Sequence, residues 1–157
     1  MRDKGRSNKV PSDSWAATPG VRRGMQSNRS RDTSPELAVR RAVHALGLRY
    51  RVDAVLPLAG VRRRADMVFK SIHLAVFVDG CYWHGCPDHY APSKTNCEYW
   101  DDKIRTNRQR DEDTNRRLAE AGWTVIRVWE HESPEAAARR IAVLVHRIRE
   151  DGQDRPM

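Results

Sequence analysis

The sequence predicts an α/β fold, a sheet covered by helices on both faces, and three observations carry that prediction. The apolar run Leu74–Val78 reads as a buried strand. Two stretches, 97–121 and 134–148, repeat apolar residues at helical spacing between start and stop signals. The resulting order, α-β-β-β-α-β-α, is that of a layered domain rather than a bundle or a sandwich.

Each element has its own warrant. Thr33-Ser34-Pro35-Glu36 offers N-caps, a proline suited to a first turn and an acid at the capping-box position. Val39, Ala42, Val43 and Leu46 then recur at helical spacing, and Gly47 supplies a stop. Tyr50 to Leu56 reads as a strand and Pro57-Leu58-Ala59-Gly60 as a turn. Arg63 to Phe69 and His73 to Val78 are two more strands, joined by Lys70-Ser71-Ile72. A long helix runs from Cys97 to Ala121 and stops at Gly122. Trp123 to Trp129 is β-rich. Ser133-Pro134 then opens a last helix with the stripe Ala138, Ile141, Ala142, Val145 and Ile148.

Bulk properties narrow the function classes. At 157 residues the chain is long enough for one domain with a real core. No apolar run approaches the roughly 18 to 20 residues that span a bilayer, and the N-terminus lacks the apolar segment of a secretory signal. Three cysteines set among histidines suit metal ligation in a reducing compartment, so a cytoplasmic protein is expected. The formal net charge is +8, and the first 31 residues hold eight Lys/Arg against Asp3 and Asp13. That stretch is rich in Ser, Asn, Gly and Pro, a composition that orders against a polyanion, and nucleic acid is the expected partner. The alternative is a solvated tail. The expected organisation is a flexible basic arm at 1–20, a domain at 21–150 and a disordered tail at 151–157.

The chemistry concentrates in Val78-Asp79-Gly80-Cys81-Tyr82-Trp83-His84-Gly85-Cys86-Pro87-Asp88-His89. Cys81, Cys86 and His89 have spacings that suit zinc, and His131, after the last strand, is the best fourth ligand. A closed Cys2His2 site would staple this loop to that strand; the alternative is a buried cysteine pair beside a surface histidine. His84 is then left over, an imidazole able to take a proton from water. Tyr82 and Trp83 are either core rings or wedges that unstack base pairs.

Two acids stand out elsewhere. Asp66 follows Arg62, Arg63 and Arg64 and opens an apolar strand. It is either a hard-oxygen ligand for Mg²⁺ or the ion-pair partner of a neighbouring arginine. With Asp79 at the end of the next strand, a hairpin would bring two carboxylates toward one phosphate-bound metal. On the long helix, Trp100, Ile104, Asn107, Asp111 and Leu118 share a stripe. An amide and a carboxylate in that stripe need partners if buried; otherwise they mark its wet margin.

Met25 with Arg31-Asp32-Thr33-Ser34-Pro35-Glu36, then Ala65-Asp66, then Val76 through Pro87, resembles the Vsr family, the T·G mismatch endonucleases of very short patch repair. So do Lys94-Thr95-Asn96, Trp100, Lys103-Ile104, Asn107, Arg110-Asp111, Ala121-Gly122-Trp123 and Val128-Trp129-Glu130-His131. The resemblance covers roughly residues 21 to 150. It implies a restriction-endonuclease-like fold of the PD-(D/E)XK class, a mixed sheet flanked by helices with a structural zinc. The implied activity is Mg²⁺-dependent nicking 5′ to the thymine of T·G pairs left by 5-methylcytosine deamination, in double-stranded DNA.

By position, the resemblance assigns Mg²⁺ to Asp66 and the backbone carbonyl of Val78, and the general base to His84. Glu36, Asn107 and Asp111 match the supporting polar shell. Tyr82, Trp83 and Trp100 match an aromatic wedge entering one groove, and Met25 the intercalator from the other. Cys81, Cys86, His89 and His131 match the zinc cluster. Arg22, Arg23, Arg29, Arg62, Arg63, Arg64 and Lys103 are the expected phosphate contacts. The family carries a histidine in place of Asp79, so Asp79 either replaces that imidazole as a metal ligand or has another role. It also has a histidine-rich loop in place of Gly85-Cys86-Pro87, and commonly a phenylalanine in place of Tyr82. A bacterial, nucleoid-associated monomer is expected, its repair-protein partners unspecified. The other readings are a nickase of different lesion or site specificity, and a non-enzymatic zinc-stapled DNA-binding protein.

Overall fold

The computed structural model describes residues 32–81, 86 and 96–153. The expectations at Arg22, Arg23, Met25, Arg29, Tyr82, Trp83, His84 and His89 lie outside the described residues, as does the arm at 1–20. Within them the order is α1 (Ser34–Ala45), β1 (Arg51–Val55), β2 (Arg64–Phe69), a 3₁₀ turn (Lys70–Ile72), β3 (Leu74–Asp79), α2 (Cys97–Glu120), β4 (Thr124–Trp129) and α3 (Pro134–Gln153). The last helix runs three residues into the segment expected as tail.

The strands form one mixed sheet in the order β1-β2-β3-β4. Its first two pairings are antiparallel, β1 with β2 and β2 with β3. β4 lies parallel to β3, from Leu74↔Thr124 to Asp79↔Trp129. Parallel neighbours need a crossover connection, and α2 is that crossover. The C-terminal ends of β3 and β4 therefore meet at one edge, where the residues of chemical interest gather.

One face of the sheet packs Met67, Phe69, Leu74, Val76 and Val128 against Val39 and Val43 of α1 and Ala137, Ala138, Ile141 and Val145 of α3. Ile141 is fully buried, and truncating it to alanine would cost about 2–5 kcal/mol. The opposite face packs Ala65, Val68, Ala75 and Phe77 against Leu118 of α2 and Trp123. The stripe expected on α3 is the observed one. On α1 it holds through Val43, but Leu46 is 49 % exposed. The helix has ended by then, and Leu48 fills the core instead.

Termini follow the local chemistry. Glu36 reaches back to accept the Thr33 N–H at 3.3 Å, the return half of a capping box. Ser133 Oγ accepts the Ala136 N–H at 3.3 Å at the start of α3. Gly122 has φ +80° directly after α2, the left-handed step that lets the chain turn into β4.

Candidate functional site

Asp66 stands where β2 loses its regularity. Ladder pairing with β3 is regular from Phe69↔Leu74 to Met67↔Val76 and goes no further. Ala65 and Val68 belong to the same core cluster with Met67 on the other face, so strict alternation is broken at Asp66. Its carboxylate replaces the missing ladder bond: Asp66 Oδ2 accepts the Val78 N–H at 2.6 Å. On the other neighbour, Asp53 sits between two regular pairs with φ +48°. The acid is thus fixed beside the Val78 backbone. Neither Arg63 nor Arg64 pairs with it. Arg63 Nε donates to Thr114 Oγ1 at 3.0 Å, tying β2 to α2, and Arg64 Nη1 donates to the Asp53 carbonyl at 2.7 Å.

Electrostatics at Asp66 are those of a site short of positive charge. Burial pushes its carboxyl up to about 7; the Val78 N–H opposes this, while Glu36 and Asp79 push it further up. Glu36 is buried, 4 % exposed, in the first turn of α1. Its charge is offset by Arg40, one turn on, which pairs with both Glu36 and Asp32. A carboxylate with two further acids, Glu36 and Asp79, within electrostatic reach and no cation of the described residues upon it offers hard oxygen and fits Mg²⁺.

Asp79 is held differently. Both of its oxygens accept from Arg127 Nη1, each at 3.0 Å. Arg127 comes from β4, donates Nε to Asn115 Oδ1 at 2.9 Å, and lies 3.7 Å from Asp111 Oδ1. Its guanidinium also stacks over the Phe77 ring, 4.3 Å from the centroid. The polar residue expected in the α2 stripe at Asp111 therefore does find its partner, on β4. The buried positions of α2 are Trp100, Ile104, Thr114 and Leu118, with Asn107 and Asp111 half-buried.

The second centre joins the same two strands a little further on. Cys81 Sγ lies 3.1 Å and Cys86 Sγ 3.6 Å from His131 Nδ1. Among the described residues this is the one group of three or more His, Cys, Asp or Glu whose ligand atoms lie within 4.8 Å of one another. Both cysteines are buried. Burial and the adjacent Cys86 thiol push Cys81 up to about 11, so ionised thiolates there need a cation. Sulfur and imidazole donors in this arrangement fit zinc. Glu130 braces the turn, accepting the Cys81 N–H at 2.9 Å while its own N–H donates to the Asp79 carbonyl at 2.9 Å.

The remaining expectations divide. Lys103 and Arg62 are exposed on the surface. Trp100 is only 7 % exposed, and the exposed ring at the start of α2 is Tyr99, at 47 %. The two rings meet edge to face with centroids 5.0 Å apart. Sequence reasoning missed Arg127 and Arg40. The signal for Arg127 was present, a lone cation inside the β-rich run Thr124–Trp129; nothing comparable marked Arg40 on an arginine-rich helix.

Comparison with known proteins bears on all of this. Residues 17–90 match the family described as DNA mismatch endonuclease Vsr. Type II nicking enzyme V.NaeI of Lentzea aerocolonigenes is 46 % identical over 130 residues, 82 % of this chain and 78 % of that protein. Type II nicking enzyme V.NmeDIP of Neisseria meningitidis serogroup C is 43 % identical over 110 residues, 69 % of this chain and 72 % of that protein. DNA mismatch endonuclease Vsr of Escherichia coli K12 is 36 % identical over 111 residues, 69 % of this chain and 67 % of that protein. An acid fixed at the break in a central strand, a Cys/Cys/His cluster at the adjoining strand ends, and these similarities together make the chain a DNA nicking endonuclease that belongs to the Vsr family.

Proposed function

We propose that this protein nicks double-stranded DNA 5′ to the thymine of T·G mismatches left by deamination of 5-methylcytosine, by Mg²⁺-dependent hydrolysis that opens very short patch repair. The observation that carries the reading is Asp66, half-buried and fixed against the Val78 backbone with Glu36 and Asp79 within electrostatic reach. Identity of 36 % to the Escherichia coli mismatch endonuclease supports the substrate. The mixed sheet with helices on both faces agrees with a restriction-endonuclease-like fold.

In this reading Asp66 and the Val78 carbonyl hold Mg²⁺, which supplies charge to offset that building on the phosphate and leaving oxygen. His84 takes the proton from the attacking water. Glu36, Asn107 and Asp111 hold the polar surroundings of the reacting groups in register. Tyr82 and Trp83 from one groove, joined by Trp100 only if it leaves its buried place, and Met25 from the other unstack the wobble pair, whose weaker stacking lowers the cost of deforming the duplex. Arg22, Arg23, Arg29, Arg62 and Lys103 contact phosphates; Arg63 and Arg64 contribute only by exchanging their internal partners. Cys81, Cys86, His89 and His131 hold zinc in a closed, structural site. The protein acts as a monomer in the bacterial cytoplasm; among the described residues no helix is long and apolar enough to cross a membrane.

A second reading has a specific observation behind it. The relatives at 46 % and 43 % identity are named Type II nicking enzymes, so the family chemistry serves here in a nickase of different specificity. End-labelled duplexes decide between them. Incision of a T·G duplex with Mg²⁺, and none of the matched duplex or of other mismatches, is the expected result. Cutting of the matched duplex at equal rate sinks the mismatch reading and upholds the nickase; no cleavage of any duplex leaves a zinc-stapled DNA-binding protein.

A further inference from the structure

The most completely engaged charged group near the proposed cation site is a base, Arg127, and the chemistry expected of Asp79 depends on it. Asp79 is 5 % exposed and gives both oxygens to one nitrogen of that guanidinium. The other edges of the planar group are engaged as well. Nε donates to Asn115, Nη2 lies 3.4 Å from the Asp111 carbonyl oxygen, and one face covers Phe77. A rigid fork held at so many points cannot swing aside as a lysine would. The Asp111 carboxylate is 3.7 Å from the same nitrogen, so the guanidinium stands between two acids.

Asp66, by contrast, turns its carboxylate to the Val78 N–H and to Glu36. Asp66, Asp79 and Asp111 do not form a group of ligand atoms within 4.8 Å. One strand end thus presents two different acid environments, one with a cation built into the chain and one without.

We propose that Arg127 is a resident cation that claims Asp79 and, standing between Asp79 of β3 and Asp111 of α2, keeps divalent ions from both, so that metal binding rests on Asp66 without Asp79. This rests on the reading of Asp66 as the Mg²⁺ ligand. Arg127 and Asp79 are then positioning residues: they lock the Val78–Asp79–Gly80 backbone onto β4 and α2. A divalent ion would take this place only if the guanidinium were removed, since buried Asp79 and half-buried Asp111 would then lose the base they share.

The test counts Mn²⁺ bound to the full, zinc-loaded chain by calorimetry and by the electron-spin signal of unbound Mn²⁺. Asp66→Asn should weaken the tightest Mn²⁺ site by about tenfold or more, Asp79→Asn by less than about threefold, as expected when only the first supplies a ligand oxygen. Arg127→Met should gain one Mn²⁺, Arg127→Lys none, and Arg127→Met/Asp79→Asn should return to the wild-type number. A purely structural ion pair moves melting temperature without moving these counts. Loss of Mn²⁺ affinity in Asp79→Asn equal to that in Asp66→Asn overturns the proposal, as does a folded Arg127→Met that binds no additional ion. Should Arg127→Met fail to fold, the Asp79→Asn affinity decides alone. These counts are read without DNA, so a wild type that cuts no T·G duplex defeats the functional reading and leaves them standing.

Discussion

Replacing Asp66 by asparagine should make the magnesium-free protein more stable while abolishing nicking. The side chain keeps its shape, and an amide oxygen can still accept the Val78 N–H that Oδ2 accepts at 2.6 Å. What changes is the charge. Burial and the neighbouring acids push the folded carboxyl up to about 7 from the ordinary 3.8, which is on the order of 4 kcal/mol once the group is ionised. The sign follows from linkage: a carboxyl raised on folding contributes stability below its unfolded value, and that contribution disappears as pH rises through the folded value. The Asp66 contribution to wild-type stability should therefore fade between pH 4 and 8, and the difference from the variant isolates it from every other titrating group. Asp66→Asn should lead wild type by about 4 kcal/mol at pH 8 and by under about 1 kcal/mol at pH 4. Urea melts at both pH values, in magnesium-free buffer with zinc retained, measure this directly. Added Mg²⁺ should raise the wild type toward the variant and leave the variant unmoved. If asparagine gives no gain at pH 8, or a gain that does not shrink on acidification, then Asp66 is not a desolvated acid awaiting a cation.

Other outcomes test separate parts of the structure. His131→Ala should release zinc, seen in a metal-indicator assay, and cost several kcal/mol of stability, since structural zinc binds model peptides with about 10–16 kcal/mol. A folded variant that keeps its zinc would remove His131 from the ligand set. Arg40→Met should destabilise the domain by about 3–5 kcal/mol in urea, because Glu36 is left buried and unpaired; Arg40→Met/Glu36→Gln should recover most of that loss. Thr114→Val should cost about 1–3 kcal/mol, as it removes the buried hydroxyl that accepts Arg63 Nε, and nicking should persist. No recovery in the Arg40 double variant, or no change in Thr114→Val, would contradict the partners assigned here.

Most of the layered fold was legible because its signals were local. The capping residues before α1, the apolar run of β3 and the stripe of α3 each fix an element within a few residues. Leu46 marks where that reasoning fails: helical spacing continues in the sequence past the point where Gly47 at φ +81° ends the helix, so the next core position passes to Leu48. The metal cluster was half local. Cys81 and Cys86 declared themselves by spacing and His131, 50 residues from Cys81, by its place after the last strand; the parallel pairing of β3 and β4 is what brings the three together. Asp79 was the hard case. Its acid neighbours were visible in the sequence, but its base, Arg127, arrives from 48 residues away, and only sheet register puts them together. Period-two alternation also cannot foresee a strand that breaks step, as β2 does at Asp66.

Those long separations have a consequence for how the enzyme comes into being. β1, β2 and β3 can pair through short connections, but the partners of Asp79 and Cys81 reach them only after the 24-residue helix has been made and β4 laid alongside β3. Contacts between distant parts of a chain carry a closure cost and form late. A ribosome-bound or prematurely terminated chain ending before β4 carries Asp66 yet lacks both Arg127 and His131. The sheet edge that carries Asp79 and Cys81 thus stays without its base and its imidazole until residues 127 and 131 have been added and β4 has docked.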